Sequence, residues 1–124
     1  MIQASREKAK ANAASVLTKA TLRAAEHLGI HNALLASIIG VSEASISRLS
    51  GAREIDPATK EGELAILFVR MFRSLDALFG DTETCKRWLW AENEHLRGVP
   101  AELLRSLEGL VNVVRYLDAV RGKV

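Results

Sequence analysis

The sequence predicts an all-α fold, and three observations carry that expectation. Apolar side chains recur at helical spacing along most of the 124 residues, Gly or a capping Ser or Asp punctuates the runs, and there are only two prolines. No stretch alternates in the manner of a strand. At 48% hydrophobic and 26% charged residues, the chain has the balance of an ordinary folded protein with one core, or two small ones in contact.

The first helix is expected over Ala13–Leu28, where Val16, Leu17, Ala20, Ala24 and Leu28 share one side and Gly29 supplies a left-handed stop. The preceding MIQASREKAKANAAS holds no apolar run that could serve as a signal peptide. The longest strongly apolar run, AILFV at Ala65–Val69, is far too short to span a bilayer. A single cysteine, Cys85, excludes an internal disulfide and any multi-cysteine metal site. A cytoplasmic protein is expected.

Two short helices follow, Asn32–Ile39 and Ser42–Leu49, with Gly51 closing the second. Asp56-Pro57 then reads as an N-cap acid with proline at the first helical position, opening a long helix to Phe79 that Gly80 stops. Leu64, Leu67, Phe68, Met71, Phe72, Leu75, Leu78 and Phe79 form its core stripe, and Ile66 and Val69 add apolar surface on another side. The helix therefore reads as a spine covered by more than one neighbour. Asp81 caps a helix through Trp88 and Leu89, the loop ENEHLRGV follows, and Pro100 opens a short helix to Leu107. Gly109 is expected to separate that helix from the last one, Leu110–Arg121, whose buried face is Leu110, Val113, Val114, Leu117 and Val120.

The stretch LASIIGVSEASISRLSG, Leu35–Gly51, leaves only Val41 between the stop at Gly40 and the cap at Ser42. Helices this short are marginal alone, so the two must pack on each other and on a third. Small Ala36 permits close approach, Gly40 takes a positive φ, and Ile46 and Leu49 face inward with Leu35 and Ile39. This spacing resembles a helix-turn-helix of the Cro/Xre type. The resemblance implies that the second helix enters the DNA major groove with its N-terminal side chains on base edges.

Ser42, Ala44, Ser45, Ser47, Arg48 and Arg53 are the DNA-binding candidates, with Arg48 the residue suited to a bidentate guanine contact. Arg53 is the first choice for a phosphate contact, and Ser42, Lys60, Lys19 and Asn32 are further ones. Residues 1–60 carry a net charge of +3 and residues 61–124 one of −1, so a polyanion would meet the first half.

The run WLWAENEHLRGVPAELLRSLEGLVNVVRYLDAVRG is similar to the toxin-binding domain of the Xre/MbcA/ParS antitoxin family. The shared pattern is a Trp-Leu pair, an Asn, Leu-x-Gly, a helix-starting Pro, Leu-Leu, a Gly and a final Val-rich helix. It falls on Trp88, Leu89, Asn93, Leu96, Gly98, Pro100, Leu104, Gly109 and Leu117. Gly98 and Pro100 enclose Val99 alone, which leans toward the subgroup paired with RES-domain toxins. The resemblance implies two units: residues 1–60 as an Xre-like helix-turn-helix, and 61–124 as a toxin-binding domain, joined through the long central helix. It further implies an antitoxin whose NAD⁺-consuming RES-type partner is held inactive by occlusion, with repression of its own operon as a homodimer on operator DNA.

Toxin-binding candidates are Trp90, Asn112, Arg115, Asp118 and the tail Arg121, Gly122, Lys123 and Val124. Trp90 lies about 200° around the helix from Trp88, so the two indoles cannot share a face. It is either an interface residue or packed on the N-terminal helices. His27, His31 and His95 lack ligand spacing, and no P-loop, G-x-G-x-x-G, H-E-x-x-H or G-x-S-x-G occurs. No catalysis, cofactor or metal is expected. The alternative reading is a free-standing helix-turn-helix repressor whose second half dimerises or binds an effector.

Overall fold

The computed structural model describes residues 2–122. Among these, seven helices account for the regular structure, apart from one antiparallel bridge between Asn93 and Gly98. Helix α1 spans Ile2–Leu28 and begins well before the expected Ala13. Residues 2–13 are Ala, Lys, Arg, Glu and similar helix formers, so propensity extends the helix although all of them are exposed. Gly29, at φ 69°, ends it, and the Ile30 amide reaches back to the Ala25 carbonyl at 2.9 Å.

Helices α2 (Asn32–Ile39) and α3 (Glu43–Arg48) form the tight elbow. Gly40 sits at φ 76°, and its amide and that of Val41 both bond the Ala36 carbonyl, at 2.9 and 3.1 Å. The Ser42 hydroxyl accepts from the Ser45 amide at 3.1 Å, which caps α3. Leu35, Ile39, Ile46 and Leu49 are all buried, as their spacing predicts.

Helix α4 runs Lys60–Phe79, so Asp56-Pro57 does not open it. Thr59 caps it through Gly62, and Asp56 instead makes a turn: its carboxylate accepts from the Ala58 amide and its carbonyl accepts from Thr59. The reason is steric. A Cβ on Gly62 would lie 2.1 Å from the Asp56 carbonyl oxygen, so the turn folds directly over the first turn of α4. Phe68, Met71 and Leu75 on α4 are fully buried, and the helix touches α1, α2, α5 (Thr82–Trp90) and α7 (Leu107–Gly122). Ile66, expected under a neighbour, stays 46% exposed, because α1 leaves a shallow groove on that side of the helix rather than closing over it.

Helix α6 is shorter than expected, Pro100–Leu103, and Gly109 does not separate it from α7. Ser106 caps α7 by accepting from the Gly109 amide at 3.0 Å, which places Gly109 inside the first turn. A Cβ there would meet the Leu103 carbonyl oxygen at 1.9 Å, so this glycine permits the close corner between α6 and α7. Thr18 ties the loop after the elbow to α1, its hydroxyl accepting from the Ile55 amide at 2.7 Å and donating to the Ala14 carbonyl at 2.8 Å. Among the described residues no helix is long and apolar enough to cross a membrane.

Replacing Gly109 by Ala should destabilise the fold by about 1–3 kcal/mol, because backbone cannot retreat as a flexible side chain can. That net cost exceeds the roughly 1 kcal/mol by which Ala is preferred in a helix interior. Gly51→Ala, whose added Cβ meets nothing within 4 Å, serves as the control and should stay within about 0.5 kcal/mol in urea unfolding.

Candidate functional site

The elbow presents α3 outward. Glu43, Ala44, Ser47 and Arg48 are exposed and Ser45 is half-buried, while Ile46 and Leu49 hold the helix from beneath. The serines are locally engaged: Ser42 donates to the Ser45 hydroxyl at 3.0 Å and Ser47 to the Glu43 carbonyl at 3.4 Å. Arg48 has no ion-pair partner among the described residues, so its guanidinium is available to an external acceptor. Arg53 differs. It pairs with Glu61 at 2.7 Å, both side chains about a third exposed, and so joins the loop after α3 to the first turn of α4. Lys19, Asn32 and Lys60 are exposed.

The second half presents the outer side of α7. Asn112, Arg115 and Ala119 are exposed, with Val113, Val114 and Leu117 buried below them. Asp118 is paired with Arg70 of α4, and Arg121 donates to the buried Ser74 hydroxyl at 3.1 Å, so the end of α7 is fastened to α4 at two points. Gly122 is exposed; Lys123 and Val124 lie outside the described residues.

Trp90 is 38% exposed, but its indole N–H donates to the Leu28 carbonyl at 2.9 Å. It therefore satisfies one of the open carbonyls at the end of α1 and bolts α5 to the N-terminal half. Trp88 does a different job on the opposite side, stacked at 6.2 Å on Tyr116 of α7 and lying 6.4 Å from Phe79. Asp81 caps α5, and the Thr84 amide, followed by the Thr84 hydroxyl, holds its carboxyl below the usual carboxylate range. Burial pushes the Cys85 thiol up, which leaves it a packing residue.

Two family models match the chain. The antitoxin Xre-like helix-turn-helix domain covers residues 7–70, and the antitoxin Xre/MbcA/ParS C-terminal toxin-binding domain covers residues 74–123. The chain belongs to the Xre/MbcA/ParS antitoxin family. None of the curated proteins matches it. As an antitoxin with both domains, it has a toxin and DNA as its two kinds of partner, and the family is typically non-enzymatic.

Sequence reasoning missed two features of the antitoxin. Leu107, expected at the end of α6, is instead the first residue of α7 and 61% exposed. The loop between α5 and α6 is ordered by its own contacts. Asn93 and Gly98 exchange backbone bonds at 2.8 and 3.2 Å, the Asn93 side chain accepts from the Leu96 amide at 3.0 Å, and Arg97 is held at φ 60°. The Asn and Gly of the family pattern are the signal for that loop.

Trp90→Phe keeps most of the ring contact and removes the donor to Leu28. It should lower unfolding stability by about 0.5–1.5 kcal/mol in denaturant titration. A change near zero would show that water replaces the indole N–H at the end of α1.

Proposed function

We propose that the antitoxin occludes the active site of a RES-type, NAD⁺-consuming toxin with the outer side and end of α7, and represses its own operon as a homodimer through α3. Residues 1–60 serve operator DNA and residues 61–124 the toxin, and both tasks are carried out in the cytoplasm without a cofactor. Arg48 is the base reader, supported by Ser42, Ala44, Ser45 and Ser47, with Arg53 near phosphate. Asn112, Arg115, Asp118 and residues 121–124 face the toxin.

The observation that carries this reading is the separation of the two surfaces along α4. The DNA-facing unit is fastened at Glu61, whereas α7 is fastened at Arg70 and Ser74, roughly 13–20 Å further along at about 1.5 Å per residue. One face can therefore be occupied while the other stays open. Asp118 is not lost to the toxin by pairing with Arg70, since an exposed pair of this kind is worth about 0–1 kcal/mol and exchanges readily for a cationic cleft. Arg53 can turn to a phosphate on similar terms.

Coexpression with the toxin encoded beside the antitoxin, followed by copurification and an NAD⁺-consumption assay, tests the reading. Arg48→Glu should abolish operator binding and leave inhibition intact, because Arg48 supports no part of the core. Deleting residues 122–124 should weaken inhibition at least tenfold with the melting curve unchanged. Full inhibition by the truncated chain would move the block to the body of α7, and a copurified toxin that leaves NAD⁺ untouched would overturn the RES assignment.

A further inference from the structure

The first half of α1 has no task in the fold. Every side chain from Ile2 to Ala13 is exposed, and a free helical segment of this length is marginal in water. One side of it nevertheless carries an apolar stripe: Ile2, Ala9, Ala13 and Val16 fall within about 60° of one another at 100° per residue, with Ile2 73% and Val16 58% exposed. The stripe runs into a shallow groove between α1 and α4, where Val16, Ala20, Ile66 and Val69 form an apolar floor. Ile66 is the α4 residue left uncovered in the fold.

The geometry points to a second copy of this chain as the occupant, with the two α1 arms packed antiparallel about a two-fold axis at Ala9. This rests on the homodimer proposed above and gives it a surface. The stripe is self-complementary in that register, as a two-fold interface requires. Ile2 lies level with Val16 of the second copy, Ser5 with its Ala13, Arg6 with its Asn12, and Ala9 with Ala9. The bulky residues stand at the two ends and the small ones at the crossing, where two helices must approach most closely. Ile2 of each copy then reaches the other's groove beside Ile66.

Charge agrees with the same pairing. The arm carries Arg6, Lys8 and Lys10 against Glu7, while Glu54 and Asp56 line the adjoining surface beside Ala13 and Ala14. Arg6 of the second copy arrives level with Asn12, one residue from Ala13 at the edge of that acidic surface, which Lys10 of the same chain also lines. The overlap from Ile2 to Val16 is only about 22 Å long. Standard interfaces bury about 1,200–2,000 Å² in total, so an overlap this short gives a small interface, and the dimer is expected to dissociate on dilution.

The test uses the full-length antitoxin without toxin or DNA. Light scattering across a dilution series should show the wild-type chain passing from dimer to monomer, and Ala9→Glu, which sets two carboxylates against each other at the axis, should raise the dissociation constant at least tenfold. Ala9 is exposed in the monomer, so the circular dichroism of the variant should not change. Oxidation should crosslink Ala9→Cys chains into a covalent dimer but not Ala11→Cys chains, whose position faces away from the stripe; the native Cys85 is buried and does not compete. A wild-type chain that is monomeric throughout overturns the homodimer itself. A dimer that survives Ala9→Glu and fails to crosslink through position 9 overturns only this surface. If Ala9→Glu loses operator affinity while its mass stays dimeric, the basic arm serves DNA and the proposal is wrong.

Discussion

Phe68, Met71 and Leu75 lie on one helix, wholly out of contact with water, and their burial requires helices from both halves of the chain at once. Each such side chain contributes about 1.5–3 kcal/mol when buried, so the contacts around α4 form the largest single block of apolar stabilisation. Neither α2 with α3 nor α5 with α7 can close a core alone. The helix-turn-helix is therefore folded by the same spine that holds the toxin-binding domain, and the family models meet on it, one ending at residue 70 and the other beginning at 74.

Around that spine, precision comes from backbone rather than from charge. Gly62 under the Asp56 carbonyl and Gly109 under the Leu103 carbonyl set two corners by close approach, while the Trp90 N–H bonds the Leu28 carbonyl at the end of α1 and the Thr18 hydroxyl accepts from the Ile55 amide. The ion pairs Arg53–Glu61 and Arg70–Asp118 sit at the rim, where water screens them. Such pairs position side chains at little cost and release them as easily.

The faces proposed for DNA and for the toxin differ in how they are supported. α3 is a six-residue helix of less than two turns, kept in place by Ile46 and Leu49, so its outward side chains inherit their directions from the elbow. α7 is longer, buried along Val113, Val114 and Leu117, and fastened to α4 near its end by Asp118 and Arg121, so its outer side is held rigidly. A helix held this firmly lowers the ordering cost of any binding at its outer side.

The sequence by itself determined the all-α class, the elbow at Gly40-Val41-Ser42, the inward set Leu35, Ile39, Ile46 and Leu49, and the family pattern from Trp88 to Leu117. Each of these is written in spacing or in a cap that neighbouring residues alone decide. The start of α4, the role of Gly109, the bond from Trp90 to Leu28 and the partners of Arg53, Asp118 and Arg121 were decided only by tertiary structure. An Asp-Pro pair suits a turn as well as a helix start, and the choice went to the turn because Gly62 lets it fold over α4. A glycine between two apolar runs suits a stop as well as a close approach, and only the Leu103 carbonyl distinguishes them. Which arginine is paired depends on residues brought near by the packing of α4, as with Asp118 and Arg70, and no local pattern encodes that distance.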